Sequence, residues 1–389
     1  MKRLSYLTVM VLLLTMVMSV NLQADEQDYL NTYLSGIEDY YQNNYNKAMN
    51  SFKKVIDRAE KKEEIYIDAL YYQTMCYLET ANVPEANQNI EQLEKSGYKF
   101  GRLYWKLGEV YLNEDGHFDS PFYTEAKKQL EKAAMYGVDS APFHSDLGKV
   151  YKGLDMKKKA IKEYELALTD NSDAGDYTNL ADLHKELDQQ EKALKYYKNA
   201  LDINKDNVSL YVSIGDIYLN QDNYKEAVKI LNKGKKINSS LPALLLQLGR
   251  AHYLNNDLDQ AKTEFNNVIE INKHNYKAYY YLGKIYNKKE NMQKAVYNYK
   301  QAIRYNDKYV SAYIELGDIY LNQDNTYKAI SQYTSAIEYN PNYAKSHFHL
   351  AKAYMKRNMN EAAIAELKTT LHLDSDHKKA RELLDKLTE

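Results

Sequence analysis

Apolar and polar positions along most of the chain recur with a helical period, and the pattern of one segment returns in the next. The most regular feature is an alanine in an apolar stretch, at Ala48, Ala86, Ala126, Ala160, Ala193, Ala227, Ala261, Ala295, Ala329 and Ala363, and from Ala193 onward the spacing is always 34. Twelve residues earlier stands another small residue, as at Gly148, Ala181, Gly215, Gly249, Gly283, Gly317 and Ala351. Large side chains flank both: Tyr three residues after the glycine, as in Tyr218, Tyr286 and Tyr320, and an aromatic or Leu four residues after the alanine, as in Phe52, Tyr164, Phe265, Tyr299, Tyr333 and Leu367. The i, i+4 spacing puts each of the latter on the face of its alanine. This predicts pairs of antiparallel helices whose backbones approach closely where the small residues cross. A helix-interior glycine costs about 1 kcal/mol against alanine, so its recurrence implies that a bulkier side chain would clash.

One stretch, GDIYLNQDN, occurs at Gly215–Asn223 and unchanged at Gly317–Asn325, a separation of three periods of 34. A 34-residue period with these marks resembles the tetratricopeptide repeat family over about residues 29 to 377, in ten units. The resemblance implies an all-α solenoid, a right-handed superhelix of antiparallel helix pairs. Each pair packs only on its neighbours and needs a polar outer side at the ends. Residues 29–140 hold three divergent repeats, in which Asp39 and Thr74 replace expected Tyr and Gly. Extra charge near Glu60–Glu64 lengthens the first link, and an insertion at 113–123, NEDGHFDSPFY, breaks the third repeat. Residues 141–377 read as seven regular repeats. Residues 378–389 read as a capping helix, with Ala380, Leu383, Leu384 and Leu387 on one face.

The first 24 residues differ. Lys2 and Arg3 precede the uncharged apolar run Leu7–Val20, followed by a small residue, Ala24, and then Asp25. That is the form of a secretory signal peptide cleaved after Ala24, so export to a periplasmic or extracellular location is expected, with no membrane insertion after cleavage. Retention as an N-terminal anchor is the alternative, although the run is short for a bilayer span.

Composition narrows the function classes. The formal net charge of −2 with 27% charged residues supplies no phosphate neutralisation for nucleic acid. The 14 Gly and 5 Pro suit a nearly all-helical chain, and of the 40 Tyr, against 7 Phe and 1 Trp, most read as packing residues whose hydroxyls reach the surface. Cys76 alone forms no internal disulfide. Phosphate loops, zinc-protease motifs, nucleophile elbows and paired cysteines are missing, so no enzyme, cofactor or metal site is expected. The NEDGHFD stretch fails as a calcium loop, because Tyr111 and Phe122 fall where ligands are needed. His347 and His349, two apart on a helix, point to different sides.

In the family that this chain resembles, the first helices line an inner groove that holds peptides. The residue after each glycine position would point into it: Glu109, Lys149, Asp182, Asp216, Arg250, Lys284, Asp318 and Lys352 alternate in sign. The Lys/Asn pairing with which some members grip a C-terminal carboxylate is absent. From repeat 6 to repeat 10 an apolar row, Val212, Leu246, Tyr280, Ile314 and Phe348, stands beside the charged row. Tyr280, Ile314 and Phe348 are therefore candidate anchors and Arg250, Lys284 and Lys352 candidate polarity residues for a protein segment. The plainer reading buries the apolar row between adjacent first helices. Phe118 and Phe122, outside the repeat register, are a second candidate contact. The expected function is a non-catalytic scaffold that binds a protein or peptide, with self-association or envelope-complex assembly as the rival.

Overall fold

The computed structural model describes residues 24–61, 63–112, 122–170 and 173–388. They form 21 α-helices, with no strand among the described residues. The expected leader, up to residue 23, lies outside them, as does most of the insertion, Phe118 included. No described helix is long and apolar enough to cross a membrane.

The chain divides into two compact units, one ending at Leu187 and the other beginning at Asp188. The break therefore falls within the fifth repeat, not at residue 140 where the repeats become regular. In the first unit the pairs are Ala24–Tyr41 with Tyr45–Ile56, Glu64–Glu79 with Val83–Lys95, Gly101–Leu112 with Tyr123–Met135, and Ala141–Gly153 with Lys157–Asp170, followed by Ala174–Glu186. The second unit starts with Gln190–Ile203. Its pairs are Val208–Asn220 with Tyr224–Ile237, Pro242–Leu254 with Leu258–Ile271, Tyr276–Lys288 with Met292–Tyr305, Val310–Asn322 with Thr326–Tyr339, and Ala344–Lys356 with Asn360–Leu373. The helix Lys378–Thr388 closes it. The first and second helix of a repeat are called A and B below.

All ten recurring alanines are fully buried, and the glycines explain why. A Cβ on Gly317 would lie 2.5 Å from the ring of Tyr333, and one on Gly249 would lie 2.7 Å from that of Phe265. The large residue of helix B thus fills the space that the glycine of helix A leaves. Repeat 10 accommodates Ala351 where Leu367 replaces the ring. Thr74, the substitute in repeat 2, is fully buried and returns its hydroxyl to the Leu70 carbonyl at 2.6 Å, which satisfies the donor locally.

The turns follow from residue chemistry too. The A–B turn places one residue in the left-handed region, Asn43, Asp155, Asp222, Asn256, Asp324 and Asn358 among them. Asn and Asp tolerate that conformation best after glycine. At the B–A junctions Asn238, Asn272, Asn306 and Asn340 accept the backbone N–H two residues on, at 3.0 to 3.2 Å. Such side-chain turns replace glycine or proline. At the C-terminus Ala380 packs on Leu367 and Ala351, joined by Leu383, Leu384 and Leu387. Lys378, Lys379, Arg381, Glu382 and Asp385 stay exposed, so a polar face ends the stack.

Three tyrosines keep their hydroxyls from the surface: Tyr164, Tyr299 and Tyr333 are fully buried, because each ring lies over the glycine of helix A and its hydroxyl stops inside the repeat.

Candidate functional site

Adjacent A helices in the second unit are tied by polar links. Gln247 donates to Asp216 Oδ1 at 3.3 Å, and His349 Nδ1 lies 2.6 Å from Asp318 Oδ1. The acidic members of the presumed groove row are thus largely spent on neighbouring repeats. Burial alone would raise the Asp318 carboxyl. The hydrogen bond and charge of His349, the Tyr333 hydroxyl and Lys352 hold it below its ordinary value instead.

The candidate anchors do not share one environment. Ile314 is 1% exposed and Tyr280 9%, both within a core cluster that includes Tyr299, Leu316 and Tyr333. They are core residues, not anchors, because the next repeat covers that side of helix A: Tyr280 meets Tyr309 edge-on at 5.1 Å. Phe348 is half-buried, since only the closing helix follows repeat 10, and it contacts His377 at 4.5 Å between ring centres. Phe122 is 42% exposed and turns back on Tyr111 of its own repeat, with centroids 6.4 Å apart.

The candidate cations fare differently. Arg250 donates to Gln247 at 2.6 Å and lies 4.0 Å from Asp216, while its Nε has no hydrogen-bond partner. Lys284 makes no ion pair among the described residues. It sits over Tyr253 at 5.4 Å and Tyr280 at 5.7 Å, and Lys288 approaches the same Tyr253 ring at 5.9 Å. Lys352 is exposed and lies over Phe348 at 5.9 Å.

Sequence reasoning missed the floor beneath these cations. Tyr253 meets Tyr281, Tyr281 meets Tyr280, Tyr280 meets Tyr309 and Tyr309 meets Tyr276, with ring centres 4.9 to 5.8 Å apart. Tyr281 also stacks on Phe265 at 5.0 Å. Burial, followed by neighbouring tyrosines, pushes the Tyr309 hydroxyl up to about 12, so that phenol stays neutral. The run Tyr279–Tyr281 was the available signal. Tyr299, beneath the floor, has a hydroxyl without a hydrogen-bond partner, because Lys284 stands where Asp318 serves Tyr333.

His347 sits between Glu366 at 2.6 Å and the Pro341 carbonyl at 2.9 Å, away from the Asp318 partner of His349. No group of three or more potential metal ligands converges among the described residues.

The first unit holds two clefts that the sequence did not single out. One, of about 310 Å³, is walled by Tyr40, Tyr41, Tyr45, Tyr71 and Tyr72 with Glu79 and Arg102. The other, of about 360 Å³, is polar and lies between the A helices of repeats 3, 4 and 5.

Comparison with known proteins agrees with this architecture. A TPR repeat model matches residues 283–324, and tetratricopeptide repeat models match 188–240, 242–275 and 325–387. No curated protein matches. Among solved structures, a tetratricopeptide repeat protein from Parabacteroides merdae aligns with a TM-score of 0.55 at 14% identity, over 64% of this chain and 99% of that one. Yeast Tom70 aligns at 0.52 and 12%, over 93% and 96%. The Cut9–Hcn1 hetero-tetramer of the APC/C aligns at 0.52 and 14%, over 93% and 76%. At these identities the likeness is one of fold. The matching repeat models, with the buried small-residue crossings and the 34-residue register, show that the chain is a tetratricopeptide-repeat protein, a type of helical scaffold that mediates protein–protein interactions.

Proposed function

We propose that the chain is a non-catalytic scaffold that holds an acidic segment of another protein against the A helices of repeats 7 to 9. The observation that carries this reading is Lys284, a cation without an ion pair among the described residues, on a floor of tyrosines, with Lys288 and Arg250 beside it. A carboxylate there gains charge-assisted hydrogen bonds, while aromatic or apolar neighbours of that carboxylate pack on Tyr253 and Tyr281. Glu315, whose charge adds to burial in raising the Tyr253 hydroxyl, gives the face a polarity, with acidic residues toward Arg250 and away from Glu315.

The test is fluorescence polarisation of a labelled peptide with alternating Glu and Phe on the full chain. Lys284→Glu with Lys288→Glu should weaken binding about tenfold or more and leave helical content unchanged. Equal binding by the variant, or none by the parent, overturns the site. A sedimentation mass that rises with concentration and falls in the same variant would assign the face to self-assembly instead.

A further inference from the structure

The first unit repeats the aromatic arrangement of repeats 7 and 8 but leaves it open. Counted from the crossing residues Gly36 and Thr74, Tyr40, Tyr71 and Tyr72 hold the positions that Tyr253, Tyr280 and Tyr281 hold from Gly249 and Gly283. The contacts correspond too. Tyr72 stacks on Phe52 at 5.8 Å and meets Tyr40 at 5.4 Å and Tyr71 at 5.3 Å, as Tyr281 stacks on Phe265 and meets Tyr253 and Tyr280. The residue after the crossing position differs. Lys284 lies over the rings of Tyr253 and Tyr280, whereas the equivalent Met75 is 3% exposed and forms part of a wall. The rings of Tyr40, Tyr41, Tyr45, Tyr71 and Tyr72 are left lining a cleft of about 310 Å³.

Two charged side chains complete this cleft. Glu79 is already matched by Lys106, 3.2 Å away. Arg102, from helix A of repeat 3, is exposed and makes no hydrogen bond or ion pair among the described residues. Burial raises the Tyr71 hydroxyl, and the charge of Arg102 is the leading influence against that rise, so the guanidinium stands near that phenol. The Tyr40 hydroxyl is raised by burial first, then by Glu79 and Tyr71, again against Arg102. Five neutral rings and one uncompensated cation therefore face the same space. An apolar cavity of about 150 Å³ holds benzene, so the volume here takes one aromatic ring with a short polar arm.

We propose that this cleft binds a small aromatic carboxylate, its ring packed among the tyrosines and its carboxylate held by Arg102. A guanidinium meets a carboxylate through two parallel N–H···O bonds, and aromatic rings favour the tilted and edge-on contacts that these tyrosines already make with one another. The occupant is a free acid and not a protein segment. Helices A of three repeats and the turn at Asn43 and Tyr45 enclose room for one ring and its carboxyl arm, at the lower end of small-molecule sites, and not for successive residues of a chain. The site shares no residue with the lysine face of repeats 7 to 9.

The test is calorimetric titration of the full chain with phenylacetate, alongside acetate, phenethylamine and a peptide ending in phenylalanine. Phenylacetate binds saturably, while acetate, without the ring, and phenethylamine, with the opposite charge, bind at least about tenfold more weakly. Arg102→Gln weakens phenylacetate about tenfold. Tyr41→Ala, at a wall residue 45% exposed, weakens it about threefold, and both variants melt at the parental midpoint because neither site is in the core. Lys284→Glu with Lys288→Glu leaves phenylacetate binding unchanged, so this site and the acidic-segment face stand or fall separately. Absence of saturable binding, parental affinity in either cleft variant, or loss in the lysine variant overturns the proposal. So does binding of acetate or phenethylamine as tight as that of phenylacetate, or tighter binding of the peptide, which would give the cleft to a polypeptide.

Discussion

The Tyr333 hydroxyl donates to Asp318 Oδ1 at 2.7 Å across the two helices of repeat 9, and His349 of repeat 10 reaches the same oxygen at 2.6 Å. One carboxylate therefore closes its own repeat and ties it to the next. In repeat 8, Lys284 takes the place of Asp318, the equivalent Tyr299 loses its acceptor, and the lysine turns outward over Tyr253.

Asp318→Asn should destabilise the chain at neutral pH by about 1–3 kcal/mol, the cost of a buried charge-assisted link. The sign with pH follows from the depressed carboxyl. A group whose folded pKa lies below its unfolded value of 3.8 stabilises the fold above that value, and the contribution fades as pH falls through the folded one. Urea unfolding at neutral pH and below about pH 4 should show the gap between variant and parent shrinking in acid. A constant gap would count against the assignment.

Gly317→Ala should destabilise despite alanine's better helix propensity. The added methyl meets the Tyr333 ring at 2.5 Å, and overpacking costs about 1–3 kcal/mol against about 1 gained. Combining it with Tyr333→Leu, the pairing of Ala351 with Leu367, should recover part of the loss in a thermal melt, and a double variant no better than the single one would refute the steric account.

Glu290 occupies the left-handed A–B turn at φ 57°, where most other described repeats place Asn or Asp and repeat 2 places Ala81. Glu290→Asn should stabilise by about 0.5–1 kcal/mol, since Asn tolerates this region better than other non-glycine residues. Calorimetry showing no rise in the midpoint would mean that the turn is not strained.

Repeat number, helix pairing, the buried alanines and the closing helix were legible in the sequence. Each follows from a local pattern that recurs every 34 residues: close approach needs a small residue, the opposing helix supplies a ring or Leu, and most turns take Asn or Asp. Of the candidate residues, Ile314 and Tyr280 proved to be core, whereas Lys284 stands over Tyr253 and Tyr280. Spacing within one helix shows which side a residue takes, but not whether the next repeat covers that side.

By itself, the sequence determined the architecture, because crossing points and turns depend on residues near in the chain and repeated in register. Only tertiary structure decided which charges are available. Asp216 and Asp318 are consumed by residues 31 positions away, Lys284 has no ion pair among the described residues, and Tyr299 loses its acceptor through one substitution on the facing helix. Availability depends on neighbours brought together by stacking, and the one-dimensional pattern treats these positions alike.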